Sequence, residues 1–268
     1  MPFGAGETPA APATPHAWTP SQFKPRDLRE ARAHRNEPAQ TSANEANRKH
    51  NVREYTLGEE IANGVSHCVG ALLAIAGTVI LIVRAALHST PIGVVSAALY
   101  GASLILLYCF STLYHSITAS GAKRVLQVFD HCSIYLLIVG SYIPISLVMI
   151  GKLCDKPALG WTIFGINAFC MVLGILLNSL DLNKYKKITL VLNILMGWLI
   201  IFSIRYVYEA SGVSGLVFLV LGGVLYTLGI IFYKMKTVKY MHFIWHIFVL
   251  AGSILHYFFI LFYCYPIK

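Results

Sequence analysis

From about residue 62 onward the chain alternates between long apolar runs and short polar interruptions. A bilayer core of ~30 Å needs about 20 apolar residues per helical crossing. Runs of that length fall near 62–84, 92–115, 125–150, 158–180, 188–208, 213–233 and 241–264. The interruptions carry turn and charge chemistry: HSTP, SGAKR, KLCDKP, DLNKYKK, EASG and KMKTVK. The pattern predicts an all-α polytopic membrane protein, a bundle of seven transmembrane helices. Thr56 followed by Glu59 has the spacing of a capping box and predicts where the first helix starts.

Composition agrees with this reading and divides the chain. Hydrophobic residues make up 56% and charged residues 12%, and the mean hydropathy is +0.64. Residues 1–60 hold eight Lys/Arg and eight Asp/Glu, whereas the remainder holds thirteen and four. Residues 1–56 are expected to form a polar, disordered tail and residues 57–268 the membrane domain. The opening MPFGAGETPAAPATPHAWTP is rich in Pro and Ala and lacks the pattern of a secretory signal. The six cysteines form no CxxC pair, and five lie in or beside apolar segments, so they read as small buried hydrophobes.

Basic residues flanking the spans predict orientation. Arg48, Lys49, Arg53, Lys123, Arg124, Lys184, Lys186, Lys187, Lys234, Lys236 and Lys239 share one side, and Arg84, Lys152, Lys156, Arg205 and Lys268 the other. The amino terminus is therefore expected in the cytoplasm and the carboxyl terminus on the opposite face. Topology and attraction to anionic lipid account for the net charge of +9, so nucleic acid is not expected as a partner.

Ionisable groups inside a membrane span are costly and tend to mark function. Asp130 is the only acid within a predicted span; the histidines are His67, His115, His131, His242, His246 and His256. His115 ends the second span, Asp130 begins the third, His242 and His246 begin the seventh, and His67 lies about a turn into the first. All fall towards one membrane face. Ser111 and His115 are four residues apart, as are His242 and His246, so each pair shares a helical face. Two histidines at that spacing plus a third from another helix leave one position open on a tetrahedral zinc ion, the pattern of catalytic zinc. His115, His242 and His246 are the predicted ligands. Read singly, a histidine at a helix end is a headgroup-level or hydrogen-bonded residue, and Ser111 a helix-packing serine. His131 must face away from Asp130, and His256, about 15 Å beyond His246, lies too deep to share the ion.

Four motifs, EEIANGVSHCVG (59–70), STLYH (111–115), FDHCSIYLLIVGSYIP (129–144) and HFIWHIFVLAGSILHY (242–257), resemble in order the hemolysin III family. This is the bacterial-type branch of the progestin and adiponectin receptor superfamily, related to alkaline ceramidases, and the resemblance covers roughly residues 57–266. It implies zinc on His115, His242 and His246, Asp130 beside the zinc-bound water, and Ser111 as a supporting group. Glu60, Asn63 and His67 match the family's first-span motif.

The expected activity is zinc-dependent hydrolysis of a lipid amide or ester, ceramide-like, with Asp130 and Ser111 as catalytic residues and membrane lipid as partner. A receptor with structural zinc and a pore-forming cytolysin are the alternatives. A pore needs polar side chains through the full membrane depth, whereas here they gather at one end.

Overall fold

The computed structural model describes residues 55–267. The predicted tail, apart from Tyr55 and Thr56, lies outside the described residues. Among them there are helices and no strand: α1 (Leu57–His88), α2 (Pro91–Ser116), α3 (Ser120–Ile143), α4 (Pro157–Trp198), α5 (Ile204–Lys234) and α6 (Met241–Phe259). A π-helical stretch, Pro144–Leu153, prolongs α3; a second, Ile260–Cys264, prolongs α6; and a 3₁₀ stretch, Leu199–Ser203, joins α4 to α5.

Local chemistry explains the helix starts. The Thr56–Glu59 capping box forms as the sequence predicts. Pro91 and Pro157 stand in the first turns of α2 and α4, where no intrahelical N–H bond is lost.

Five stretches are long and apolar enough to cross a membrane: Leu57–His88, Pro91–Ser116, Ser120–Leu153, Pro157–Lys234 and Met241–Cys264. The sequence predicts seven. The difference lies within Pro157–Lys234, where helical segments follow one another across two tight connections. The backbone nevertheless leaves helical geometry at Asp181 (φ −164°, ψ 101°) and at Gly212 (φ 63°, ψ −168°). Asp181 Oδ1 accepts the N–H groups of Asn183 and Lys184, both at 2.9 Å, as a helix N-cap does. Gly212 adopts a positive φ that a side chain would resist.

The stretch Ser120–Leu153 is the most enclosed of the five, and every residue from 139 to 151 is buried. A helix apolar on all sides belongs at the centre of the bundle. Pro144 lacks an N–H, and the backbone beyond it pairs over a wider turn, with Cys154 N–H donating to Met149 O at 2.9 Å. Tyr142 hydroxyl accepts from Ile200 N–H (2.8 Å) and donates to Gly197 O (3.0 Å), satisfying groups freed at the 3₁₀ break. Leu72, Val79, Phe169, Phe202 and Val213 remain exposed, as apolar side chains facing lipid should be.

Helices α1 and α2 approach closely at Gly70, where an added Cβ would lie 2.6 Å from the Tyr108 ring. Gly70→Ala should therefore cost about 1–3 kcal/mol through overpacking, read as a lowered Tm in detergent. Gly165→Ala, whose Cβ meets nothing within 4 Å, should leave Tm unlowered.

Candidate metal centre

Two helices deliver the three predicted ligands to one end of the bundle. His115 comes from the last turn of α2, and His242 and His246 from the first turns of α6. One ligand atom from each lies within 4.8 Å of the others. The Nε2 atoms of all three are buried and, among the described residues, without hydrogen-bond partners. Unpaired buried polar atoms are costly, and three imidazole nitrogens converging in this way suit a metal ion. Among the described residues, Asp130 does not join this set.

The opposite edges of two rings are tied down. His115 Nδ1 lies 2.5 Å from Glu60 Oε2, while Lys123 Nζ donates to Glu60 Oε1 at 2.6 Å. Glu60 thus links α1, α2 and the start of α3. His246 Nδ1 lies 3.2 Å from Asn63 O and 3.2 Å from Ser66 Oγ, both on α1. An Nδ1–H donated to Glu60 or to Asn63 O leaves Nε2 with its lone pair facing the centre, which is how metal-ligating histidines are commonly oriented.

The approach to His242 is fixed by the capping residue of α1. Tyr240 is the N-cap of α6 and takes a left-handed conformation (φ 62°, ψ 3°). Its N–H donates to Glu59 Oε1 at 2.8 Å, while Glu59 Oε2 accepts from Thr56 N–H and Thr56 hydroxyl, each at 2.9 Å. The capping box predicted as a local helix start is therefore also the anchor of the turn that presents His242.

Other predicted residues surround this core. Asp130 is buried on α3, within interaction range of Ser111, His115 and His131. Its Oδ2 lies 3.8 Å from the Nδ1 of His131, which therefore does not face away from it, and Ser111 is buried beside it. His67 stacks on His246, with ring centroids 3.6 Å apart and planes 14° apart. Both His67 nitrogens and the Asn63 side-chain amide are buried without protein partners. His131 Nδ1 bonds to Gln127 O (2.8 Å), and His256 Nε2 to Leu219 O (3.0 Å), joining α6 to α5. Neither belongs to the cluster.

Aromatic rings not singled out in the sequence border the centre. Tyr55 lies 5.1 Å from His242 and 6.1 Å from His115 between ring centroids, and Tyr233 lies 6.2 Å from His242. Burial, reinforced by Tyr114, pushes the Tyr55 phenol upward, so it remains a neutral donor near the histidines.

Replacing Glu60 by Gln removes the charge that orients His115 while keeping the side chain's size. Metal affinity should fall by about 10–100-fold, measured by competition with a chelator in detergent, with Tm compared in the metal-free protein.

Residues 55–257 match the family model described as "Haemolysin-III related". The chain is 40% identical over 208 residues to "Hemolysin-3" of Bacillus cereus, covering 78% of this chain and 93% of that protein. It is also 40% identical over 210 residues to "Hemolysin-3 homolog" of Bacillus subtilis (strain 168), covering 78% and 96% respectively. "Monocyte to macrophage differentiation factor" of Homo sapiens is 30% identical over 213 residues, covering 76% of this chain and 83% of that protein. The matched region contains all three clustered histidines.

Proposed function

Because the chain belongs to the haemolysin-III related family, a family of multi-pass membrane proteins, we propose that it is a zinc-dependent hydrolase of a lipid amide or ester, ceramide-like in its linkage. The observation that carries this reading is the gathering of His115, His242 and His246, each with a buried Nε2 unpaired among the described residues, with a buried carboxylate nearby.

A zinc ion on these residues would supply Lewis acidity towards a carbonyl and make water acidic enough to react near neutral pH. Glu60, Asn63 O and Ser66 hold two of the imidazoles in orientation. Asp130 takes a proton from the attacking water and returns it to the departing nitrogen or oxygen. Ser111 hydroxyl, buried beside Asp130, donates to the oxygen on which negative charge develops. One water is consumed, the acyl C–N or C–O bond breaks, and a fatty acid and an amine or alcohol leave.

In this reading the backbone breaks at Asp181 and Gly212 divide Pro157–Lys234 into three crossings. With the four other stretches, that gives seven. The distribution of Lys and Arg supports a cytoplasmic amino terminus, which places the histidines at the cytoplasmic headgroup level, where a lipid's acyl linkage also lies. A reporter that fluoresces only in the cytoplasm should then be dark when fused after Lys268 and bright when fused before Met1; the reverse pattern would overturn the orientation.

Lysis is a second reading, favoured by the name of the Bacillus cereus relative. To separate the two, zinc content, ceramide hydrolysis and dye release from vesicles are measured on purified wild type, His246→Ala and Asp130→Ala. The hydrolase reading expects one zinc per chain in wild type and its loss in His246→Ala. Asp130→Ala should keep zinc while turnover falls about 10²–10⁴-fold. Dye release without lipid cleavage would instead favour lysis.

A further inference from the structure

Beside the histidine cluster lies a pair of lysines that, among the described residues, has no carboxylate in an ion pair with it. Lys186 Nζ and Lys236 Nζ lie 5.5 and 5.6 Å from the centroid of the same Tyr233 ring. Lys186 comes from the segment after the Asp181 break, and Lys236 from the turn that follows α5. Both are half-buried. Glu60, Asp130 and Glu209 form ion pairs, and none of these pairs involves either lysine.

The surroundings increase the positive charge. Residues 181–187 and 234–240 contain six lysines and one acid, Asp181. Asp181 Oδ1 already accepts two backbone N–H groups. Burial, together with the Lys236 ammonium, pulls the Lys186 pKa below its ordinary value. Like charges brought together without a counter-ion repel, and an anion with several oxygens relieves that repulsion by bridging them. Lysine ammoniums commonly bind phosphate as point charges. Tyr233 separates the pair from His242 by a single ring, at the end of the bundle where headgroups would lie.

We propose that Lys186 and Lys236, gathered on Tyr233, form a binding site for a phosphate group, carried either by a phospholipid headgroup or by a soluble phosphomonoester. The site uses none of the clustered histidines and does not depend on the hydrolase reading. Its effect would be to hold an anionic molecule against the entrance to the metal centre.

The test uses the full chain in a phosphate-free, uncharged detergent. Phosphatidic acid, uncharged diacylglycerol and glycerol 3-phosphate are each titrated, and binding is read by native mass spectrometry. The probes are compared in wild type, in Lys186→Gln/Lys236→Gln, and in Lys184→Gln/Lys187→Gln, which removes the same charge from nearby. Wild type should bind phosphatidic acid at least tenfold more tightly than diacylglycerol. The Lys186/Lys236 double variant should lose at least tenfold, and the neighbouring pair less than threefold. Tighter binding of phosphatidic acid than of glycerol 3-phosphate assigns the site to lipid. Equal binding of the two, with the same dependence on Lys186 and Lys236, assigns it to a soluble phosphomonoester. Equal losses in both double variants would mean diffuse surface charge only and overturn the proposal, as would binding of diacylglycerol as tight as that of phosphatidic acid.

Discussion

Glu59 and Glu60 are adjacent in sequence, yet their carboxylates serve different neighbours, and the histidine cluster depends on both. Glu59 closes the first turn of α1 and holds Tyr240 N–H, setting where α6 begins. Glu60 holds His115 on α2 and Lys123 on α3. Two consecutive residues thus tie four helices at one end of the bundle. A helix places neighbouring side chains about 100° apart, which is how adjacent carboxylates reach partners on different sides of α1. Helices in a bilayer gain little from hydrophobic association, since lipid tails are as apolar as leucine. Specific polar ties of this kind therefore carry much of the geometry.

The same end also carries most of the buried polar atoms left without partners among the described residues. Three Nε2 atoms, both His67 nitrogens and the Asn63 amide are buried and unpaired among the described residues. Elsewhere Tyr100 hydroxyl and the side-chain oxygens of Asn167 and Asn193 are also unpaired, but many such groups are satisfied at short range. Ser103, Ser133, Ser146 and Ser211 turn their hydroxyls back onto carbonyls three or four residues earlier, and Tyr142 serves two backbone groups at once. Unsatisfied polarity is thus concentrated around the histidines, as expected for a site that takes a ligand.

Much of this was legible in the sequence because the signals were local or periodic. The apolar runs identified a helical membrane protein, and the HxxxH pair with a third histidine at the same depth identified the cluster. The Thr56–Glu59 spacing located the start of α1. Other features depended on which helices touch. The first-span motif pointed to Glu60 without naming His115 as its partner. Nothing in the local pattern around Glu59 indicated Tyr240, which lies 181 residues away. The left-handed turn at Tyr240 was likewise hidden, since tyrosine carries no propensity for it. The connections at Asp181 and Gly212 were visible as polar interruptions, but their tightness depends on backbone geometry that composition does not encode.

The enclosure of α3 bears on how a membrane could be breached. From residue 139 to 151 the helix is buried on every side, and its backbone widens after Pro144 into turns that take in an extra residue. A thickened, apolar shaft on the bundle axis acts as a plug: the interior is polar near the histidines and solid towards the other end. Among the described residues, this helix offers no exposed face from 139 to 151 that could line a wet passage. Any hole formed by such proteins would be bounded by several copies, or by lipid displaced around them.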